Sequence, residues 1–327
     1  MLKGINFALA ACFVWGLIFV VPQFMDGFSA IEVALARYLF YGLISAAIFL
    51  KTTLQGRGRY PRKIWIQALY FSFASTIFYY TCVVLSLRYA TPAICALVLG
   101  ISPITIALYG NYKERECSFK SLLLPSILIL VGLMIINAPY LYPNNLKNWD
   151  LGINATSSST HVLGIVFSFL ALLSWSWYAV ANSKFFKVNP QISCHAWSTL
   201  VGVATLFWVA FFALVLGLFF TDLVDISKCT SFSLDNTELL KFLIGGAILG
   251  ILCSWVGASL WNSASIYLPV SLAGQLTIFE TIFGLVFVYL LKQEIPPLFE
   301  CVGIVFLFFA IFLGIRSTTK MAVQHSQ

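Results

Sequence analysis

The chain has 327 residues, of which 60% are hydrophobic, 16% aromatic and only 9% charged, with a formal net charge of +7. A soluble fold of this length would need roughly a quarter of its residues charged to cover its surface, and a disordered chain would need low hydrophobicity. Both are excluded, so the chain is expected to be a multi-pass membrane protein solvated by lipid.

A spanning helix needs about 20 mostly apolar residues. The first apolar run begins at Ile5 behind a single Lys3. A cleaved leader ending near Ala30 is the alternative reading, but the run is too long for a leader's apolar core, so it is taken as the first span. In chain order the predicted spans are 4–22, 31–50, 64–85, 91–111, 121–138, 162–183, 195–220, 240–262, 268–291 and 298–316. The connectors carry the punctuation: a basic cluster at 56–61, and polar stretches at 143–160 and 221–238. With the N-terminus inside, thirteen Lys and Arg fall in cytoplasmic connectors and five outside, so both termini are expected in the cytoplasm. The basic excess is thus an orientation signal, and no nucleic-acid partner is expected.

The chain carries little that resembles catalytic chemistry. Its eight cysteines never form CxxC and lie mostly in apolar runs, where they behave as small hydrophobes. His161, His195 and His325 are dispersed and make no metal pattern. There is no Walker A motif, nucleophile elbow or HExxH, so neither an enzyme, a cofactor, a metal site nor ATP-driven transport is expected. Asn154-Ala155-Thr156 is a glycosylation sequon, meaningful only on a eukaryotic secretory route.

Positions recur between the two halves. Trp15 is matched by Trp175, 160 residues on; Tyr89 by Tyr267, Ser102-Pro103 by Glu280-Thr281, Glu116 by Glu294 and Gly132 by Ala310, all 178 residues on. Pro92 and Pro269 match within one residue. Chance likeness among apolar helices is the alternative, weakened by the shared offset. Five spans per half is odd, so the second half must enter the membrane from the opposite side. The expected division is residues 1–140 as a first five-helix repeat, 141–161 as an extracytoplasmic connector, 162–317 as a second repeat and 318–327 as a cytoplasmic tail. Inverted repeats are an architecture of secondary transporters, with the site near the midplane. They make an obligatory dimer unnecessary, and a monomer is expected.

These residues also resemble a known family. Trp15-Gly16, Arg37, the stretch from Leu87 to Glu116, Glu280, Glu294 and Trp261-Asn262 are together similar to the drug/metabolite transporter superfamily, in its ten-helix EamA-like branch. The likeness covers residues 4–316. Thr281 stands where that family often has proline, and Trp197 where Arg37 would repeat. The resemblance implies an all-α transporter of the inner (plasma) membrane moving small metabolites such as amino acids, usually outward. It also implies a fixed structural or gating role for Arg37. A nucleotide-sugar or lipid-type translocator, or a membrane protein that transports nothing, are the rival readings. The first is disfavoured because phosphates want deep basic residues and only Arg37 is available.

Polar stripes at helical spacing must face protein or a cavity. The third span has Ser72, Ser75, Thr76, Tyr79 and Ser86; the sixth Ser168, Ala171, Trp175, Tyr178 and Asn182; the eighth Ala247, Gly250, Ser254, Gly257 and Trp261; the ninth Gly274, Thr277, Glu280, Thr281 and Gly284, with Gln275 at its edge. Small residues on such stripes also serve close helix packing. Aromatic residues among them favour a cavity suited to a zwitterionic or amphipathic solute. Expected substrate-binding residues are Trp15, Tyr79, Ser102, Trp175, Tyr178, Trp261, Gln275 and Glu280. Pro92 and Pro103 in the fourth span are expected to break backbone hydrogen bonds, as static kinks or as hinges.

Two charges remain well inside the spans. Glu280 lies near the bilayer centre, where a charge costs about 2.5–3.5 kcal/mol even on insertion scales. It is expected to face the interior as a proton site, as a partner for a substrate ammonium, or as a structural carboxyl group. Arg37 is expected to snorkel outward or join an ion pair. Glu116 and Glu294, at helix starts, are read as caps.

Overall fold

The computed structural model describes residues 1–25, 28, 30–90, 92–141, 158–219 and 236–324. It is all-helical among these residues. Ten helices are long and apolar enough to cross a membrane: α1 Leu2–Phe24, α2 Ile31–Leu54, α3 Arg62–Tyr89, α4 Ile94–Glu114, α5 Phe119–Ala138, α6 His161–Val188, α7 Cys194–Leu214, α8 Thr237–Tyr267, α9 Val270–Lys292 and α10 Leu298–Arg316. Each matches one predicted span, which is what length and apolarity alone can fix. The sequon, most of the connector at 141–161 and most of 221–238 lie outside the described residues.

Their packing is dictated by small residues that let backbones approach. Gly132 of α5 meets the Gly303 carbonyl and Leu307 of α10, so a side chain at either glycine would force the pair apart. Gly42 and Gly202 do the same between α2 and α7, and Gly4 between α1 and the end of α8. The main pairings are α5 with α10, α2 with α7, α4 with α9, α3 with α6 and α1 with α8.

Contacts sort the helix ends into two faces. One carries Gly4, Arg59, Glu116, Lys187, Asn189 and Leu268, which meet one another across the α2–α3, α4–α5, α6–α7 and α8–α9 turns. We call it the N-terminal face. The other carries Met25 against Gly245, Phe28 against Phe242, and Ala90 against Gly164.

Several helices are irregular where they pass mid-depth. α3 holds a π turn at Phe73–Phe78 and α8 a longer one at Ile248–Val256. α4 breaks at Ile101 and restarts at Ser102, with Pro103 in its first turn; α9 breaks at Thr277 and restarts at Ile278. Pro103 therefore does interrupt the helix. Pro92 does not: it is the first residue of the helical segment Pro92–Gly100, where the missing N–H would have had no partner in any case.

Candidate functional site

The π turns and breaks shape one central cavity of about 620 Å³. In α8 the carbonyl of Cys253, inside the π turn, accepts the Trp15 indole N–H at 2.9 Å. In α3 the carbonyl of Ala74, also inside a π turn, accepts the Ser174 hydroxyl at 2.8 Å. Backbone acceptors at membrane depth thus find partners on neighbouring helices. Each bond also fixes an aromatic-bearing helix against its neighbour.

The cavity wall is aromatic. Trp15 lies 6.2 Å from Trp175 and 5.6 Å from Trp261, ring centre to ring centre. Trp175 lies 5.5 Å from Tyr79 and 5.4 Å from Tyr178. These five rings come from α1, α3, α6 and α8, and all line the cavity. Trp261 is only 4% exposed, and its indole N–H has no hydrogen-bond partner. Ser102 and Pro103 of α4, and Thr277, Glu280 and Thr281 of α9, complete the lining at mid-depth.

Both intramembrane charges reach this space. Arg37 does not snorkel away. It lines the cavity, its Nε donates to the Ser254 hydroxyl at 2.9 Å, and its guanidinium sits 5.7 Å from the Tyr38 ring centre. Glu280 lines the same cavity from α9. One chamber therefore offers a guanidinium, a carboxyl group, an indole donor and a ring of aromatic faces.

Two sequence expectations need correction. Gln275 does not line the cavity. It is 1% exposed, its amide has no hydrogen-bond partner, and its Oε1 lies directly where a side chain on Gly314 would stand. The segment Val270–Leu276 is buried on all sides, so the break at Thr277 leaves only the residues after Leu276 facing the chamber. Similarly, Ser72 and Ser86 of the α3 stripe are outside the chamber: Ser72 donates to its own helix at Leu69, and Ser86 pairs with Ser168 of α6.

Other lining residues escaped the sequence reading. Glu300, 2% exposed at the start of α10, lines the cavity with one carboxyl oxygen unpartnered, near Asn137 of α5. Tyr38 and Tyr41 of α2 also line it. Tyr41 donates to the Ser198 carbonyl at 2.9 Å. That bond joins a buried network in which Trp197 donates to Asn182, Asn182 to Asn262, and Asn262 to the Ser198 hydroxyl, at 2.7–2.8 Å. Four helices are tied by it beside the aromatic wall.

The cavity is one-sided. Its lining runs from mid-depth toward the face of Ala90 and Met25, reaching Leu87, Asn137 and Glu300. Toward the N-terminal face it stops, because α4 and α9 close on each other: Gly274 meets Ile106 and Ala107, and Gly110 meets Val270. At that end Glu116 accepts the backbone N–H groups of Val270 and Ser271 at 2.8 and 2.9 Å, and the Ser271 hydroxyl at 2.8 Å. Glu116 thus caps a helix of the other half and not the helix that follows it. Lys187 adds an ion pair with Glu114 at 2.9 Å and approaches Glu116 at 3.7 Å. Among the described residues, no group of three His, Cys, Asp or Glu could hold a metal ion.

Comparison with known proteins agrees with this architecture. Residues 2–138 match the EamA-like transporter family. The chain is 28% identical to inner membrane protein YtfF of Escherichia coli (strain K12), covering 100% of this chain and 99% of that protein. A solved crystal structure that is 16% identical shares the fold, with a TM-score of 0.70 over 97% of this chain and 98% of the other. The ten apolar helices and this relative make the chain a multi-pass protein of the inner (plasma) membrane. Together the family match and the end-to-end alignment with YtfF place the chain in the EamA-like transporter family, within the drug/metabolite transporter superfamily, whose members are transporters and not enzymes.

Proposed function

We propose that this chain is a secondary transporter exporting a small amphipathic solute, an amino acid or a close relative, by alternating access around the central cavity. The observation that carries the reading is the cavity's composition: five aromatic rings, one guanidinium and one carboxyl group lining a single space sealed toward one face. Its volume falls in the range of small-molecule sites. Arg37 suits a solute carboxylate through charge-assisted donation, and the rings suit an apolar side chain or an ammonium. Trp261 adds an indole donor that nothing in the protein uses.

Glu280 has two roles compatible with its place, as the partner of a solute ammonium or as a coupling proton's carrier. With both termini in the cytoplasm, the sealed face is cytoplasmic and the cavity opens outward. Paired irregularities support the inverted-repeat reading: π turns in α3 and α8, breaks in α4 and α9, and left-handed residues at Arg115 and Gln293, 178 apart. Rocking of helix bundles about a midplane site follows from such symmetry.

Flux in proteoliposomes over a panel of amino acids and amines, with and without a pH gradient, tests the reading. Saturable flux of a zwitterionic solute is expected; a protein inert to the whole panel refutes it. Glu280→Gln separates the two roles. A flux that loses its response to the pH gradient means proton coupling, whereas weakened binding of amine-bearing solutes alone means an ammonium partner.

A further inference from the structure

The seal at the N-terminal face has an unused twin. Glu116 follows a left-handed residue, Arg115, with φ 51°, and its carboxylate holds the first two amides of α9. Glu294 follows Gln293, with φ 54°, 178 positions later, but it is exposed. The next residue, Ile295, is 91% exposed, an apolar side chain with nothing over it, whereas its counterpart Cys117 is partly buried. The residues that Glu294 would hold by the same relation are the counterparts of Val270 and Ser271. Aligned on Pro269 and Pro92, these are Ala93 and Ile94, at the start of the helical segment Pro92–Gly100.

The packing around each turn follows the same relation. Gly274 is buried against Ala107. Their counterparts at the 178 offset are Ala96 and Leu285, and both of these line the open cavity, with Ala96 exposed. One end of the α4–α9 pair is therefore zipped and latched, and the matching end is unzipped and unlatched.

We infer that Glu116 and Glu294 are alternating latches and positioning residues of the transport cycle: when the cavity opens to the N-terminal face, Glu294 takes the amides of Ala93 and Ile94 while Ala96 closes on Leu285. This inference rests on the alternating-access reading. It adds which two residues hold the end states, neither of which need touch the solute. The symmetry of the exchange makes removal of one latch bias the protein toward the state held by the other.

The test is the rate at which Ala96→Cys and Leu285→Cys form a disulfide in native membranes under a mild oxidant, read by mass spectrometry as the linked peptides. This reports closure of the open end and needs no knowledge of the solute. Against the two-cysteine protein alone, Glu116→Ala is expected to raise the rate and Glu294→Ala to lower it, each by about tenfold. Glu116→Gln, which keeps one acceptor oxygen, should fall between. Because Glu294 is exposed, its replacement leaves folding intact, and a silent result there counts against the proposal.

Unchanged rates in both variants, or rates that move in the same direction, overturn it. A pair that never links in any background overturns both the latch exchange and alternating access. A pair that links at the same rate with and without Glu294, in a protein that transports, removes the latch alone and leaves the proposed function standing.

Discussion

The turn at Arg115–Cys117 and the turn at Gln293–Ile295 share a backbone conformation and stand in contrasting surroundings. In the first, Asn111 is fully buried and clasps Cys117 from both sides, its Nδ2 donating to the carbonyl and its Oδ1 accepting the N–H, each at 2.8 Å. That clasp aims Glu116 at the start of α9. In the second, Tyr289 stands where Asn111 would be, and it cannot offer a donor and an acceptor together. Glu294 is left in the open. The difference teaches that the fold's two ends are built alike and secured unequally, so the equilibrium between them is set by a few polar contacts and by how closely α4 and α9 can zip.

The largest effect is expected from the zipper. A side chain on Gly274 would stand 2.7 Å from the Ile106 Cγ2 and 2.8 Å from the Ala107 backbone nitrogen, with no slack in a backbone atom. Gly274→Leu should lower thermal stability by roughly 1–3 kcal/mol, the usual cost of overpacking. Ala96→Leu, at the matching position in the open end, should stay within about 0.5 kcal/mol of wild type, as surface substitutions do. It should nevertheless abolish flux, because that end can no longer close. Equal thermal shifts in the two variants would erase the contrast.

Next is the clasp. Asn111→Ala leaves the buried N–H and carbonyl of Cys117 unpaired and should cost about 1–3 kcal/mol in thermal unfolding. A wild-type melting curve would mean that the turn needs no clasp and that the two ends do not differ as described.

The smallest expected effect lies between the halves. Trp15→Phe keeps the ring and removes the donor to the Cys253 carbonyl, a loss of about 1 kcal/mol. A cost well above that would show that the α1–α8 contact is secured by more than this bond.

Much of this was legible in the sequence, for physical reasons. Lipid demands long apolar runs, so all ten spans could be read. Glu280 and Arg37 were visible because a charge is costly at that depth, and Trp15, Trp175 and Trp261 because aromatic residues stood on stripes of small ones. What failed was phase. A helical stripe is read at a constant 100° per residue, but the π turn at Phe73–Phe78 and the break at Thr277 each reset the rotation. Ser72 and Gln275 consequently turn away from the chamber that Thr76 and Glu280 face. Glu300 was missed because an acid in the first turn of a helix looks like an ordinary dipole partner. The Glu116 latch was invisible for another reason: its partners are 154 and 155 residues away, and no local pattern announces them.

The central claim is that the aromatic chamber, and no other part of the molecule, receives the solute. The direct measurement is solute flux in proteoliposomes by Trp175→Ala and Trp261→Ala, each compared with wild type at equal amounts of inserted protein. Both rings line the cavity and neither indole donates to the protein's own helices, so insertion should be normal and flux should be lost in both. Undiminished flux in both variants would contradict the claim.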